Sequence, residues 1–324
     1  MSRKRGVAEE RPFTSEEVET LAEAVRLAPS VHNAQPWTLA VDGRSATLHE
    51  RSVEGLHEQD PEGRDRRISV GAAVADLALS VRALGWATDV RWHAEDEPGT
   101  ATVIGTHRQR ATVLDRERAR AIGERASFRR PFAGRVVPHL LRTCVISAAT
   151  VQASWIRGGA EERALARNLA RAARINRSDV RYQRELGMWM SEPSGGTGFP
   201  ADALAETGLP SVGLVGSGTR LPDQERLAEW IGQESVLVFS TLTDGPRDQL
   251  RVGMAVQRAW LEATRLGLVG SVLTQPLRLS EVRTELRDEL GLGGIPQVLL
   301  RVGFPPEPHV PHAERRPLPQ VFED

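Results

Sequence analysis

Residues 70–90 read VGAAVADLALSVRALGWATDV, and residues 252–272 read VGMAVQRAWLEATRLGLVGSV. Laid over one another at a constant offset, with no gap, they match at Val70/Val252, Gly71/Gly253, Ala73/Ala255, Val74/Val256, Leu79/Leu261, Leu84/Leu266, Gly85/Gly267 and Val90/Val272. In each copy apolar residues at helical spacing stop at a glycine and feed a run with strand character. Upstream, RPF at 11–13 recurs at 130–132, and Trp37 pairs with Trp155 at nearly the same spacing. Two Ala/Leu/Val-rich helices could align by composition alone, but the shared order of landmarks favours a duplication. Two such halves would pack about a pseudo-twofold axis as homodimer subunits do. The expected division is 1–122 and 123–324, with extra residues in the second copy that include a Gly/Pro/Ser-rich, lid-like stretch around 191–222.

The remaining pattern is a mixture of helices and short strands. Thr14 and Glu17 form a capping box ahead of an apolar face at Val18, Leu21 and Val25. Asp42-Gly43 marks a hairpin between TLAVDG and SATLHE. Residues 115–125 read as a charged, exposed helix, 136–148 as a helix, and 161–190 as a long helical stretch broken once. Strands are expected at SVLVFST and PQVLLRVGF, with helices at PRDQLRVGMAVQRAWLEATRLG and LSEVRTELRDELG.

With 42 basic against 43 acidic residues among 324, no overall field attracts nucleic acid or an anionic membrane. Any cationic site must be local. Lys4 is the only lysine, so arginine, with its planar fork for phosphate and carboxylate, supplies nearly all the positive charge. The lone Cys144 excludes an internal disulfide and a thiolate metal site. His309 and His312 lack a carboxylate partner motif, so no metal is expected. A basic start with no apolar stretch behind it, and no run of 18 apolar residues, predict a cytoplasmic protein without a membrane span.

The string APSVHNAQPW, residues 28–37, gathers Ser30, His32, Asn33 and Gln35 in a stiff loop between a helix stopped by Pro29 and a strand. On spacing alone it reads either as a binding loop or as a helix-to-strand turn whose polar groups satisfy the backbone. RASFRR at 125–130 and ERRP at 314–317 read either as anion-binding arginines or as solvated charge runs. No nucleophile elbow, P-loop or dinucleotide fingerprint occurs.

Taken together, LAPSVHNAQPW, ISVGAAVADLALSVRALG, RASFRRPF, GLVGSVLTQP, PQVLLRVGF and ERRPLPQVF span nearly the whole chain. They resemble the nitroreductase superfamily, and within it the Acg-like branch, in which two nitroreductase-like halves are fused. The resemblance implies an α+β fold: two related halves, each a mostly antiparallel sheet flanked by helices, packed as a pseudo-dimer with FMN at the seam. Carried over by position, Pro29, Ser30, Val31, His32 and Asn33 would lie along the flavin ring, with Gln35 contacting it or bracing the loop. Leu273, Thr274 and Gln275 would sit near its reactive nitrogen. Arg125, Ser127 and Arg129 match the family's basic phosphate-binding segment, and Arg315 and Arg316 its C-terminal basic pair. Where Acg-like chains usually carry His-Thr-Asp or Asn after the first arginine, Ala126, Ser127 and Phe128 stand here, so those contacts are altered.

The implied activity is flavin-mediated hydride or electron transfer, with NAD(P)H as a candidate donor and a small-molecule acceptor. The alternatives are an FMN-sequestering stress-response protein and a biosynthetic FMN-dependent dehydrogenase. The resemblance names no obligatory catalytic side chain. A fused chain is compatible with a monomeric pseudo-dimer or a homodimer.

Overall fold

The computed structural model describes residues 11–94, 100–190, 195–199, 205–306 and 312–322. Lys4, His309 and parts of the expected lid (191–194 and 200–204) lie outside them.

Among the described residues, each half builds one four-stranded sheet whose strands pair antiparallel, with isolated parallel bridges between Leu39 and Phe322 and between Ser127 and Gly270. In the first, α1 (Ser15–Leu27) precedes β1 (Trp37–Asp42) and β2 (Ser45–Glu50); α2 (Arg64–Ala83), β3 (Trp86–Trp92), β4 (Ala101–Arg108) and α3 (Val113–Glu124) follow. In the second come α4 (His139–Ser147), β5 (Gln152–Trp155), α5 (Ala160–Ser178), α6 (Val180–Met190), α7 (Gln224–Gln233), β6 (Ser235–Thr241), α8 (Pro246–Arg265), β7 (Val269–Leu273), α9 (Ser280–Glu289) and β8 (Ile295–Gly303). The strand orders are β1-β2-β4-β3 and β5-β6-β8-β7, the same topology twice. The two-residue hairpin at Gly43-Arg44 is replaced in the second half by α5, α6, the intervening loops and α7.

The elements follow from local chemistry. Thr14 caps α1 in the expected box, its hydroxyl accepting from Glu17 N at 3.2 Å while the Glu17 carboxylate accepts from Thr14 N at 2.9 Å. Such a cap contributes about 1 kcal/mol. α2 is buried on nearly every face, as an all-round apolar helix must be. The long helical stretch breaks at Asp179, whose carboxylate accepts from Arg181 N and Tyr182 N and so starts α6. α7 lies where the sequence signalled only the end of a loop.

The seam is α2 against α8, and its contacts are reciprocal. A Cβ added to Gly71 would lie 2.0 Å from the Leu250 carbonyl oxygen, and one added to Gly253 would lie 1.9 Å from that of Ile68. Gly71 corresponds to Gly253 and Ile68 to Leu250 in the repeat, so residue i meets j' and j meets i', the signature of an isologous interface. Arg67, which donates to Gln249 Oε1 at 2.8 Å, touches its own counterpart. The RPF landmarks also correspond: Phe13 lies against Gly105 of β4 and Phe132 against Gly303 of β8. The pairing of Trp37 with Trp155 does not hold, because Trp37 opens β1 whereas Trp155 closes β5. Among the described residues the three largest cores lie under the first sheet, on the α8 face of the second, and between the second sheet, α5 and α9, with smaller clusters around Leu261 and Tyr182.

Candidate functional site

The loop after α1 is held in a conformation its residues rarely choose. His32, Asn33 and Gln35 have φ of 46°, 58° and 49°. A left-handed conformation costs an L-residue roughly 1–2 kcal/mol, and such strain persists only where the surroundings over-determine it. Here Ser69 Oγ accepts from Val31 N at 2.9 Å, and Ser30 Oγ accepts from Gln35 N at 3.0 Å. From the second half, Gly198 N donates to the His32 carbonyl at 3.1 Å. Asn33 Nδ2 donates to the carbonyls of Gly196 and Glu314 at 3.0 and 2.7 Å, and its Oδ1 accepts from Arg315 at 2.5 Å. Gln35 braces the loop: its amide donates to Gly196 O at 2.8 Å and its Oε1 accepts from Arg316 N at 3.2 Å.

This loop forms one wall of two adjoining chambers between the halves. The inner one, narrow at about 100 Å³, is lined by Pro29–His32, by Asp65, Ile68 and Ser69 of α2, and by Val256 and Trp260 of α8. Ser271–Gln275 line it as well, and so do Pro210, Gly213 and Leu214 of the insertion. The outer one, about 1050 Å³, is lined by Asn33, Arg125, Arg129, Arg130, Arg220 and Arg315 among others. Pro29, Ser30, Ser127 and Arg129 line both. The structure thus brings together all the expected residues except Gln35 and Arg316, which support the loop from behind.

Arginines dominate the charge of the outer chamber, whose lining carries five of them against the exposed carboxylate of Glu206. Among the described residues, Arg125, Arg129 and Arg315 have no carboxylate within ion-pair distance. Arg125 donates to the Leu27 carbonyl at 2.7 Å, lies 4.8 Å over the Trp260 ring, and leaves its Nε without a partner. Burial lowers the pKa of all three guanidiniums, Arg125 to about 10 and Arg315 to about 9, the latter helped by repulsion from Arg125. Buried cations without counter-charges are costly unless an anion joins them, and the bidentate geometry of Arg suits phosphate. The donor set therefore fits the phosphate end of FMN, and the narrow, largely apolar inner chamber with its Ser30 and Ser127 hydroxyls fits the ring.

The inner floor is rigid. Arg64, itself buried, donates to the carbonyls of Thr274 and Gln297 at 3.0 and 2.6 Å, and the Gln275 amide donates to Asp65 Oδ2 at 3.0 Å. The loop and arginine motifs did not point to Asp65, Ile68, Ser69 and Trp260. The repeat could have found them, since seam-facing positions flank Gly71 and Gly253.

His32 is uncharged. Its Nε2 meets Gln59 Oε1, an acceptor only, so Nε2 carries the proton, and its ring lies among Trp189 and Phe199. Burial pushes its pKa down to about 4. Between the ordinary value near 6.5 and about 4, the unfolded chain binds a proton the folded chain does not, so this contribution to stability is full above pH 6.5 and lost as pH falls. Asp60 and Asp76, raised to about 6 and about 7 chiefly by burial, act in the opposite sense, losing stability as pH rises through those values. Replacing His32 by Gln should therefore narrow the stability gap to wild type as pH falls from 6.5 to 4.5, by at most about 1.4 kcal/mol per pH unit. Urea unfolding across that range checks it; parallel curves would refute it.

The repeat provides a second, pseudo-equivalent seam position, and among the described residues it is packed with side chains. Arg247 and His93 stand where Asp65 and Gln275 stand in the open site, with Arg247 donating to the His93 carbonyl at 3.1 Å. Leu250 and Met254, the counterparts of Ile68 and Ala72, are packed into the first core. Among the described residues no helix is long and apolar enough to cross a membrane.

No family model matches the chain. A Mycobacterium tuberculosis (H37Rv) protein named "Putative NAD(P)H nitroreductase Rv3131" is 31% identical over 322 residues, covering 95% of this chain and 92% of its own length. "Uncharacterized protein Rv3127" of the same strain is 32% identical over 315 residues, 91% and 90% of the two chains. "Putative NAD(P)H nitroreductase acg", also from that strain, is 29% identical over 330 residues, 96% and 97%. Among solved structures, the FMN and NADPH-dependent nitroreductase NfnB from Sphigopyxis sp. strain HMH shares 20% identity, with 64% of this chain and 97% of that one covered at a TM-score of 0.41. With two antiparallel halves of one topology joined at a reciprocal seam, and relatives alike over nearly their full lengths, the chain belongs to the nitroreductase family, in its Acg-like branch.

Proposed function

We propose that the chain holds one FMN across the two chambers and acts as an FMN-dependent oxidoreductase on a small-molecule acceptor. The observation that carries this reading is the set of three guanidiniums, free of carboxylate partners among the described residues, facing the outer chamber beside a narrow apolar one. Arg125, Arg129 and Arg315 would hold the phosphate. Ser30 and Ser127, at the junction, would hydrogen-bond the portion that joins the chambers. When bound, FMN supplies the redox chemistry, accepting and passing on a hydride or electron pair.

The protein's own contribution is positional. Arg64 fixes the Thr274 carbonyl and so orients the Leu273–Gln275 backbone; donors held there stabilise negative charge developing on a bound ring. The strained loop keeps Pro29–His32 against the inner chamber, and the neutral His32 brings no charge to it. Val256, Trp260 and Leu273 exclude water. The closed second seam supports one cofactor per chain.

A second reading, FMN sequestration without turnover, has its own support. Pro210, Gly213 and Leu214 of the insertion line the inner chamber, and Gly213 is packed so closely that a Cβ there would lie 2.2 Å from Leu273 Cδ2. A nicotinamide must stack within about 3.5 Å of a flavin to deliver hydride, and an insertion folded over this side of the chamber would stand in its way.

Purified chain supplied with FMN should become yellow at one FMN per chain. Anaerobic stopped flow with NADPH and NADH then separates the readings. Rapid bleaching supports turnover; bleaching by dithionite but not by either nucleotide supports sequestration. A chain that stays colourless refutes both.

A further inference from the structure

His32 stands on the strained loop in the wall of the inner chamber, and its ring is held by a relay that begins in the insertion. On α6 the buried Glu185 carboxylate accepts from Glu58 N at 3.0 Å and from Gln59 N at 2.8 Å. Four residues on, Trp189 Nε1 donates to the Gly55 carbonyl at 2.7 Å. These contacts pin residues 55–59 of the first half against α6. Gln59, fully buried, donates its amide Nε2 to the Tyr182 carbonyl at 3.5 Å and turns its Oε1 to His32 Nε2.

The relay fixes a proton as well as a position. Were the Gln59 amide reversed, its oxygen would face the Tyr182 carbonyl oxygen, two acceptors together in the core, which is costly. With Oε1 toward His32, ring atom Nε2 must carry the proton. Burial beside Trp189 and Phe199 disfavours the doubly protonated ring, so Nδ1 keeps a bare lone pair. Asp65 and Arg129 are the charged groups that act on the ring, and they pull in opposite directions. Among the described residues Nδ1 has no hydrogen-bond partner, and it is not one of the polar atoms stranded out of reach of water.

Neighbouring polar groups of the chamber are spent. Ser69 Oγ donates to the Asp65 carbonyl at 2.7 Å and accepts from Val31 N. The Asp65 carboxylate is engaged by Arg64 at 2.6 Å and by the Gln275 amide at 3.0 Å. Gln275 Oε1 lacks a partner but is sealed within the wall. His32 is therefore the side chain on this wall with an acceptor to offer.

We propose that His32 is a specificity-determining residue whose Nδ1 accepts a hydrogen bond from a ligand N–H in the inner chamber, with Gln59 as the residue that positions it. The proposal rests on the reading of this chamber as the flavin-ring site. The oxidised ring carries one N–H, on the imide nitrogen between its two carbonyls, and that group is assigned to His32. An acceptor locked against becoming a donor favours an N–H and disfavours a ring nitrogen that is alkylated. No proton is transferred and no covalent bond is made or broken.

The test compares FMN with FMN methylated at the imide nitrogen. Wild type should bind the methylated flavin about tenfold more weakly, the value of one buried hydrogen bond whose acceptor is left stranded. The bulk of the methyl group would also weaken binding, so His32 is read directly. In the nitrogen NMR spectrum of histidine-labelled chain, His32 should show Nε2 protonated and Nδ1 bare. FMN should move the Nδ1 resonance upfield, and methylated FMN should leave it in place. Gln59→Leu should let the Nδ1-protonated tautomer appear and shrink the preference for FMN, and His32→Leu should shrink it too. If Gln59→Leu does not fold, the wild-type spectra with the two flavins decide alone. Nδ1 protonated in wild type, an Nδ1 resonance that moves with neither flavin or equally with both, or a preference undiminished in His32→Leu overturns the role of His32 and leaves the cofactor reading standing. A chain that binds neither flavin overturns both.

Discussion

Alanine at Gly253 is expected to remove most of the protein's stability, because its Cβ would lie 1.9 Å from the Ile68 carbonyl oxygen across the seam. That oxygen belongs to the backbone of α2, so no side chain can swing aside. Relief requires α2 and α8 to separate, which disturbs the cores that hold Val70, Val74 and Val256, all buried. Overpacking usually costs 1–3 kcal/mol when side chains can adjust; with backbone forced to move, about 4 kcal/mol or more is expected. Gly71→Ala should behave alike, since its Cβ would lie 2.0 Å from the Leu250 carbonyl. The double variant should cost less than the two singles together, because one separation of the helices relieves both contacts. Gly123→Ala is the control: it lies on α3 with nothing within 4 Å of a new Cβ, and should be neutral or slightly stabilising. Urea unfolding measures all four, and a wild-type midpoint for Gly253→Ala would disprove the close seam.

Leucine at Arg129 is expected to weaken FMN binding by roughly ten- to a hundredfold, the value of one charge-assisted hydrogen bond. Riboflavin binding should change by no more than about twofold, because only the phosphate is read by the guanidinium. The fold should not suffer. Arg129 has no carboxylate partner among the described residues, and burial already disfavours its charge. Flavin fluorescence titration with the two ligands separates the effects. Equal weakening of both would mean that Arg129 shapes the cavity and does not recognise phosphate.

The duplication was legible because its strongest match falls on the seam. Gly71 and Gly253 stand in register where two backbones come closest, and there only glycine fits. The capping box, the hairpin at Asp42-Gly43 and both long helices were equally readable, since each depends on neighbours within a few positions. The site was legible only as a set of motifs. That His32, Asn33 and Gln35 adopt left-handed backbone is fixed by Ser69, Gly196, Gly198 and Arg315, partners up to 282 residues away, and no local propensity carries that information. Gln35 was expected either at the ring or as a brace, and its hydrogen bonds to Gly196 and Arg316 are those of a brace. Trp155 misled in the opposite way, a conspicuous residue type without the strand position that equivalence would require.

The pairing of Asp65 with Gln275 in the open site, against Arg247 with His93 in the closed one, has a consequence for what linking two copies makes possible. Two identical subunits must express every substitution twice, so a carboxylate installed beside one cavity is installed beside both, and a cover grown over one mouth is grown over both. A single gene encoding both copies lifts that constraint. Opposite charges can occupy corresponding places, and nearly eighty residues between β5 and β6 can serve one opening while the other is filled with hydrocarbon. Asymmetry of this kind lets one half specialise in shaping the pocket and the other in bracing it.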